Sequence, residues 1–165
     1  MKWLLFWISL AIVFLLANAV LSRWAPAYID LFLMLTLVVA LIAPVHDARL
    51  AGWLVGFAQD IGTTGPIGPF AFSLGLTAWI ATMMRESFNL KLWWVRFLVA
   101  FTAGATGQLI LRGFQHYALD MFATTRDWMG SAFSAAAVAG LVAATVTATV
   151  AFRRRGRRGM RRARA

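Results

Sequence analysis

The stretch Gln59-Asp60-Ile61-Gly62-Thr63-Thr64-Gly65-Pro66-Ile67-Gly68-Pro69 sets a carboxylate and a Gly/Pro-rich turn between two strongly apolar segments. Gly62, Gly65 and Gly68 permit positive backbone torsions, while Pro66 and Pro69 block helix continuation, so the segment reverses the chain tightly or re-enters a membrane. An acid closing an apolar run such as residues 50–58 is expensive in lipid, so Asp60 is expected to face protein or water and to have a specific role. No Lys follows the glycines, and the turn carries no phosphate-binding pattern.

Outward from this turn the chain stays apolar. It is 61% hydrophobic and 13% charged, with eight Trp, and its mean hydropathy is +0.74. That is more apolar surface than a soluble domain of this size can hide, which predicts an integral membrane protein. The charge is uneven: sixteen Lys and Arg oppose six Asp and Glu, and the arginines crowd between Arg153 and Arg164. The absence of cysteine excludes a disulfide framework, a thiol redox centre and a Cys-based metal site.

Runs near the roughly 20 residues that cross a bilayer predict an all-α polytopic protein with six transmembrane helices. They cover about residues 3–21, 29–43, 50–61, 70–84, 93–111 and 131–152. The third is short, and the polar group His46-Asp47-Ala48-Arg49 before it reads as a loop. Residues 1–152 form the six-helix domain, and residues 153–165 an Arg-rich cytoplasmic tail. Lys2, the apolar run and Ala17-Asn18-Ala19 imitate a cleavable secretory signal. Continuation of the run to Leu21, followed by Arg23-Trp24, favours a retained anchor.

Short Lys/Arg-rich loops stay in the cytoplasm. Six crossings put both termini on one side with Lys2, Arg49, Arg85, Lys91 and the arginine tail, so both ends are expected to be cytoplasmic. Arginines directly after a membrane helix read as a topology anchor and a contact for anionic lipid headgroups. Nucleic acid is the alternative polyanion for such a tail, and it is not the expected partner.

This orientation gathers Asp30, Asp60, Gln108 and Arg112 at one depth near the outer face. A buried Asp there needs a partner, and Arg112 is the fixed cation within reach of either acid. Two readings stand for Asp30: an interhelical pair, or a carboxylate favoured by the free amides of a helix start. For Asp60 the plainer alternative is a solvated turn residue.

Read together, Pro26, Asp30-Leu31-Phe32-Leu33, Gly52, Gly56-Phe57, Asp60 and Gly65-Pro66-Ile67-Gly68 resemble the MreD family of bacterial rod shape-determining membrane proteins. The resemblance covers roughly residues 24–85, and the Asp followed by a Gly-Pro-x-Gly turn is its most specific part. The remaining helices match in being apolar. Where the family places a basic loop between the second and third helices, this chain has Pro44-Val45-His46-Asp47-Ala48-Arg49. The resemblance implies a non-enzymatic subunit of the peptidoglycan elongation machinery and a partner of the bitopic protein MreC. It further implies one complex with a RodA-type polymerase, a transpeptidase and the MreB filament. It also implies a helix arrangement similar to the substrate-binding subunits of energy-coupling-factor vitamin transporters, a likeness of fold that implies no transport.

The residues themselves carry no hydrolase, metalloprotease, P-loop or dinucleotide motif. His46 and His116 fall on opposite sides of the membrane, so they share no metal site, and neither a catalytic residue nor a cofactor is expected. The competing reading is a vitamin-type uptake subunit, with substrate near the outer leaflet beside Gln59, Asp60, Gln108 and Arg112. Small residues in the last two helices, Ala103-Gly104-Ala105 with Gly107 and the alanines from Ala132 to Ala148, predict that these helices pack together, with a partner's single span as the alternative. The long outer connection 113–130 reads as a helix on the membrane surface, where Phe114, Tyr117, Phe122 and Trp128 offer either a docking platform for MreC or a headgroup anchor.

Overall fold

The computed structural model describes residues 3–21, 30–63, 66–88, 90, 92–119 and 125–162. Among them the chain is entirely helical. Helix α1 (Trp3–Leu16) runs on through a π-helical turn, Ala17–Leu21. It is followed by α2 (Leu31–Ile42), α3 (Val45–Gly62), α4 (Pro69–Ser87), α5 (Trp93–Leu119) and α6 (Thr125–Arg162).

Helix α2 is the hub. It touches each of the other five, and none of its residues is exposed. Phe32, Leu33, Leu37, Ala40 and Leu41 are buried around it. Helices α3 and α4 form one hairpin and α5 and α6 another, joined where α4 meets α5. Helix α1 leans on the outside, with Phe14 edge-on to Phe32 at 6.5 Å.

Glycine and alanine set how closely these hairpins close. At Gly56 an added Cβ would lie 2.5 Å from both Ala71 Cα and Phe70 O, and at Gly52 it would overlap Ala78. The two glycines share one face of α3, four residues apart, so the backbones of α3 and α4 approach without intervening side chains. On α6, Ala132, Ala135, Ala136, Ala139, Ala143 and Ala144 are all buried. Gly140 lies against the Phe101 backbone, and the vacant side-chain position of Gly104 points to Ala136 and to Leu37. The small-residue faces therefore bring α5 and α6 together and seat them on α2.

The apolar interior also encloses several polar side chains, and many large apolar side chains remain outside it. Thr36, Asp60, Ser73, Thr77, Thr82 and Gln108 are at most 1% exposed, whereas Leu50, Trp53, Trp79, Trp94 and Leu98 are 44–58% exposed. Large apolar side chains point outward on five of the six helices.

Three expectations change. The polar group His46 to Arg49 is not a loop: α3 starts at Val45, directly after Pro44, and Ala48 N–H already bonds to Pro44 O at 2.8 Å. Pro44 fixes the turn and lacks the N–H that a helix start leaves unused. Of the connection 113–130, expected as a separate surface helix, residues up to Leu119 continue α5 and those from Thr125 belong to α6, while residues 120–124 lie outside the described residues. Nor does helix end at residue 152, since α6 extends to Arg162.

Among the described residues two helices are long and apolar enough to cross a membrane, over Trp93–Tyr117 and Met129–Val150. The remaining expected spans do not pass that test. Helix α2, with 12 residues, is about 18 Å long against a hydrocarbon core of about 30 Å, and α3 and α4 carry Asp47, Arg49, Asp60, Arg85 and Glu86.

Candidate functional site

The turn from Asp60 to Pro69 is closed by a helix cap that comes from another helix. Gly68, at the N-cap of α4, has no side chain to offer, and Pro69 at the first position has no N–H. The next two amides, of Phe70 and Ala71, both donate to Asp60, at 3.1 Å to Oδ1 and 2.9 Å to Oδ2. Asp60 is 1% exposed. The carboxylate therefore lies at the positive end of the α4 dipole with both oxygens engaged. The close approach at Gly56, one turn earlier, brings the two helices near enough for this bond. Thr63 closes α3 in turn, its N–H and Oγ1 both bonding to Asp60 O at 3.2 and 3.0 Å. Gly68 has φ +123°, a conformation that favours glycine. Gly62 ends α3 against Phe14 and Asn18 of α1, Pro66 is exposed, and Gly65 lies outside the described residues.

From this cap a seam of polar contacts crosses the bundle. Ser73 Oγ donates to Gly107 O at 2.8 Å, tying α4 to α5. The next residue, Gln108, donates from Nε2 to Asp30 Oδ2 at 2.9 Å, tying α5 to α2. Asp30 Oδ1 accepts from Leu33 N–H at 3.0 Å, so Asp30 is at once the N-cap of α2 and an interhelical acceptor. The helix-start reading of Asp30 holds, and its interhelical hydrogen-bond partner is Gln108 where Arg112 was expected.

The Asp60–Arg112 pair does not form. Both Asp60 oxygens are taken by α4, and the charge that acts on Arg112 is that of Asp30. Arg112 Nη1 also donates to Gln115 Oε1 at 3.4 Å. The expected cluster thus divides into a cap at Asp60 and a triad of Asp30, Gln108 and Arg112, linked through Ser73 and Gly107. Ser73 and Thr77 went unnoticed in the sequence, and Gly107, expected to pack towards the last helix, instead meets Ser73 and Thr77 of α4.

The opposite end of the bundle is built from cations. Arg85 Nη1 donates to Ala40 O at 2.9 Å and to Ala43 O at 2.7 Å, closing the C-terminal end of α2. Arg49 Nε donates to Thr82 Oγ1 at 3.1 Å. His46 lies in the first turn of α3, whose last turn carries Asp60, while His116 lies two turns past Gln108 on α5. The two histidines sit at opposite ends, roughly 30 Å apart by helix rise. Among the described residues no three His, Asp or Glu side chains converge as a metal site.

Of the candidate docking residues, Phe114 and Tyr117 are 41% and 76% exposed at the end of α5, on the same side of the helix. Phe122 and the side chain of Trp128 lie outside the described residues. No protein-family model, curated protein or solved structure matches this chain.

Proposed function

We propose that this chain is a six-span scaffold of the MreD type in a bacterial inner membrane, with both termini cytoplasmic. In this reading it binds MreC and helps organise peptidoglycan synthesis and rod shape, together with a RodA-type polymerase, its transpeptidase and the MreB filament. It is not an enzyme and needs no cofactor, and the Arg-rich tail contacts anionic lipid.

The observation that carries the proposal is the buried Asp60 cap. Asp60 and Gly68, two of the residues that carry the family resemblance, lie at the two sides of this cap, the acid accepting from α4 and the glycine at its N-cap. Two further observations support the membrane placement. Large apolar side chains are exposed on five of the six helices, as expected where lipid rather than water surrounds the bundle. Both ends of the short α2 are closed by side chains, Asp30 with Gln108 at the start and Arg85 at the end. A helix shorter than the hydrocarbon core is tolerated where protein satisfies its terminal backbone groups.

The chain contains no cysteine, so single cysteines report topology on a silent background. Ile67→Cys is expected to react with a membrane-impermeant maleimide from outside, and His46→Cys only after permeabilisation; the reverse pattern overturns the topology. Co-purification and crosslinking of MreC from membranes tests the partner, and its absence from a correctly inserted protein rejects the scaffold reading. The uptake reading draws on one observation. The Oε1 atoms of Gln59 and Gln108 are buried without a hydrogen-bond partner among the described residues, as acceptors waiting for a ligand would be. Auxotrophy rescued by one nutrient, with normal cell shape, after deletion decides for uptake.

A further inference from the structure

We propose that Arg49 and Arg85, at the α3–α4 end of the bundle, hold the phosphate group of an anionic phospholipid whose chains lie along the groove between α3 and α4. The placement rests on the membrane orientation proposed above and is independent of the partner.

Both guanidinium groups are positioned by neutral groups. Arg49 is held through Nε by the Thr82 hydroxyl, and Arg85 through Nη1 by the carbonyls of Ala40 and Ala43. Thr82 and Arg85 are three residues apart on α4, so their side chains are neighbours on that helix. Thr82 is itself fixed, donating to Trp79 O at 2.8 Å. The terminal amines of Arg49 make no hydrogen bond to a described residue, and no described carboxylate comes within ion-pair distance of either arginine. The negative charge acting on Arg85 is the exposed Glu86 beside it. The end of the α2 dipole offers Arg85 roughly half a further counter-charge. Each guanidinium presents a planar fork suited to phosphate oxygens.

The surface next to this pair is apolar. Trp53 lies one turn beyond Arg49 on α3, 48% exposed, with its ring laid over the missing side chain of Gly75 and edge-on to Phe72 at 6.4 Å. On α4, Trp79 and Met83 are 46% and 47% exposed, and Leu50 of α3 is 57% exposed. A phosphate at the arginines and acyl chains against Trp53, Trp79 and Met83 follow the order of a lipid leaflet, with tryptophan at the headgroup boundary. Basic pockets between membrane helices on the cytoplasmic side bind anionic lipid headgroups by this arrangement. The groove distinguishes this site from the arginine tail, which offers charge without a fixed apolar wall.

The full-length protein, purified in detergent and supplied with equal phosphatidylglycerol and phosphatidylcholine, is examined by native mass spectrometry. Preferential retention of phosphatidylglycerol by about tenfold is expected, and it is expected to survive conversion of the eight tail arginines between Arg153 and Arg164 to Gln. Arg49→Gln, which touches only Thr82 and leaves the α2 end intact, is expected to lower retention about tenfold, with Arg49→Lys intermediate. Equal retention of the two lipids by the wild-type protein overturns the proposal whatever the variants do. So does loss of the preference with the tail arginines, or displacement of the lipid by millimolar inorganic phosphate, which assigns the pair to free phosphate. A protein that retains the lipid and fails to capture MreC breaks the partner reading and leaves this one standing.

Discussion

At one end of the bundle a carboxylate closes the start of a helix, and at the other a guanidinium closes the end of one. Asp60 of α3 receives two amides of α4, and Arg85 of α4 gives to two carbonyls at the end of α2. Both place a full charge against the opposite pole of a helix dipole. They differ in their surroundings. Asp60 is almost fully enclosed, whereas Arg85 is half-buried and faces outward beside Glu86. A buried charge depends on its two bonds, because nothing replaces them when they are cut. A partly exposed one can turn to water or to a headgroup. The Asp60 end is therefore expected to act as a rigid lock and the basic end as an adjustable contact.

The largest test removes the lock. Asp60→Ala leaves two buried amides without an acceptor and is expected to lower stability by about 3–4 kcal/mol, read as thermal unfolding of the detergent-solubilised protein. Asp60→Asn, which retains one good acceptor, is expected to lose about half of that. A loss below 1 kcal/mol would remove the distinction between the two ends.

Next in size, Gly56→Ala puts a methyl group 2.5 Å from the α4 backbone and separates the helices that Asp60 bridges. The expected cost is about 2–3 kcal/mol by overpacking. In the double variant with Asp60→Ala the losses are expected to be less than additive, since separated helices no longer present the amides to the acid. Full additivity would show that the glycine and the acid act independently.

Arg85→Gln sharpens the other side of the comparison. It is expected to cost about 1–2 kcal/mol, discounted for exposure, and the difference from wild type is expected to shrink between 0.05 and 0.5 M salt because outward-facing charges are screened. The Asp60→Ala loss is expected to be insensitive to the same change. A salt-independent Arg85 effect would place that guanidinium in an environment like that of Asp60.

The smallest effect is expected at Gln108→Leu, about 1 kcal/mol or less. The substitution takes a donor from Asp30, which keeps the Leu33 amide and the nearby Arg112 charge, and it also removes an acceptor buried without a partner. A loss comparable to that of Asp60→Ala would move the lock from the cap to the triad.

Much of the fold was legible in the residues. Apolar runs marked all six helices to within a few residues at most ends, and the alanines of α6 pointed to its packing with α5. The errors share one cause: polarity was taken as interruption. His46 to Arg49 sit inside α3 because a helix start welcomes an acid such as Asp47 and lets the longer side chains reach outward. Residues 113–119 stay helical because nothing among them breaks the i to i+4 ladder; Gly113 alone costs only about 1 kcal/mol. The four residues of the expected polar cluster were legible as a group, and their pairing was not.

Chemical composition by itself determined that the chain is helical and apolar, that it turns sharply after Asp60, and that this acid must be satisfied by something. Only the tertiary structure decided what satisfies it. The partners of Asp60 are the backbone amides of Phe70 and Ala71, and those of Arg85 are the carbonyls of Ala40 and Ala43. Every residue other than proline carries that amide and every residue that carbonyl, so no side-chain identity announces them. Which ones stand unpaired and within reach depends on where helices end and how closely their glycine faces let them meet.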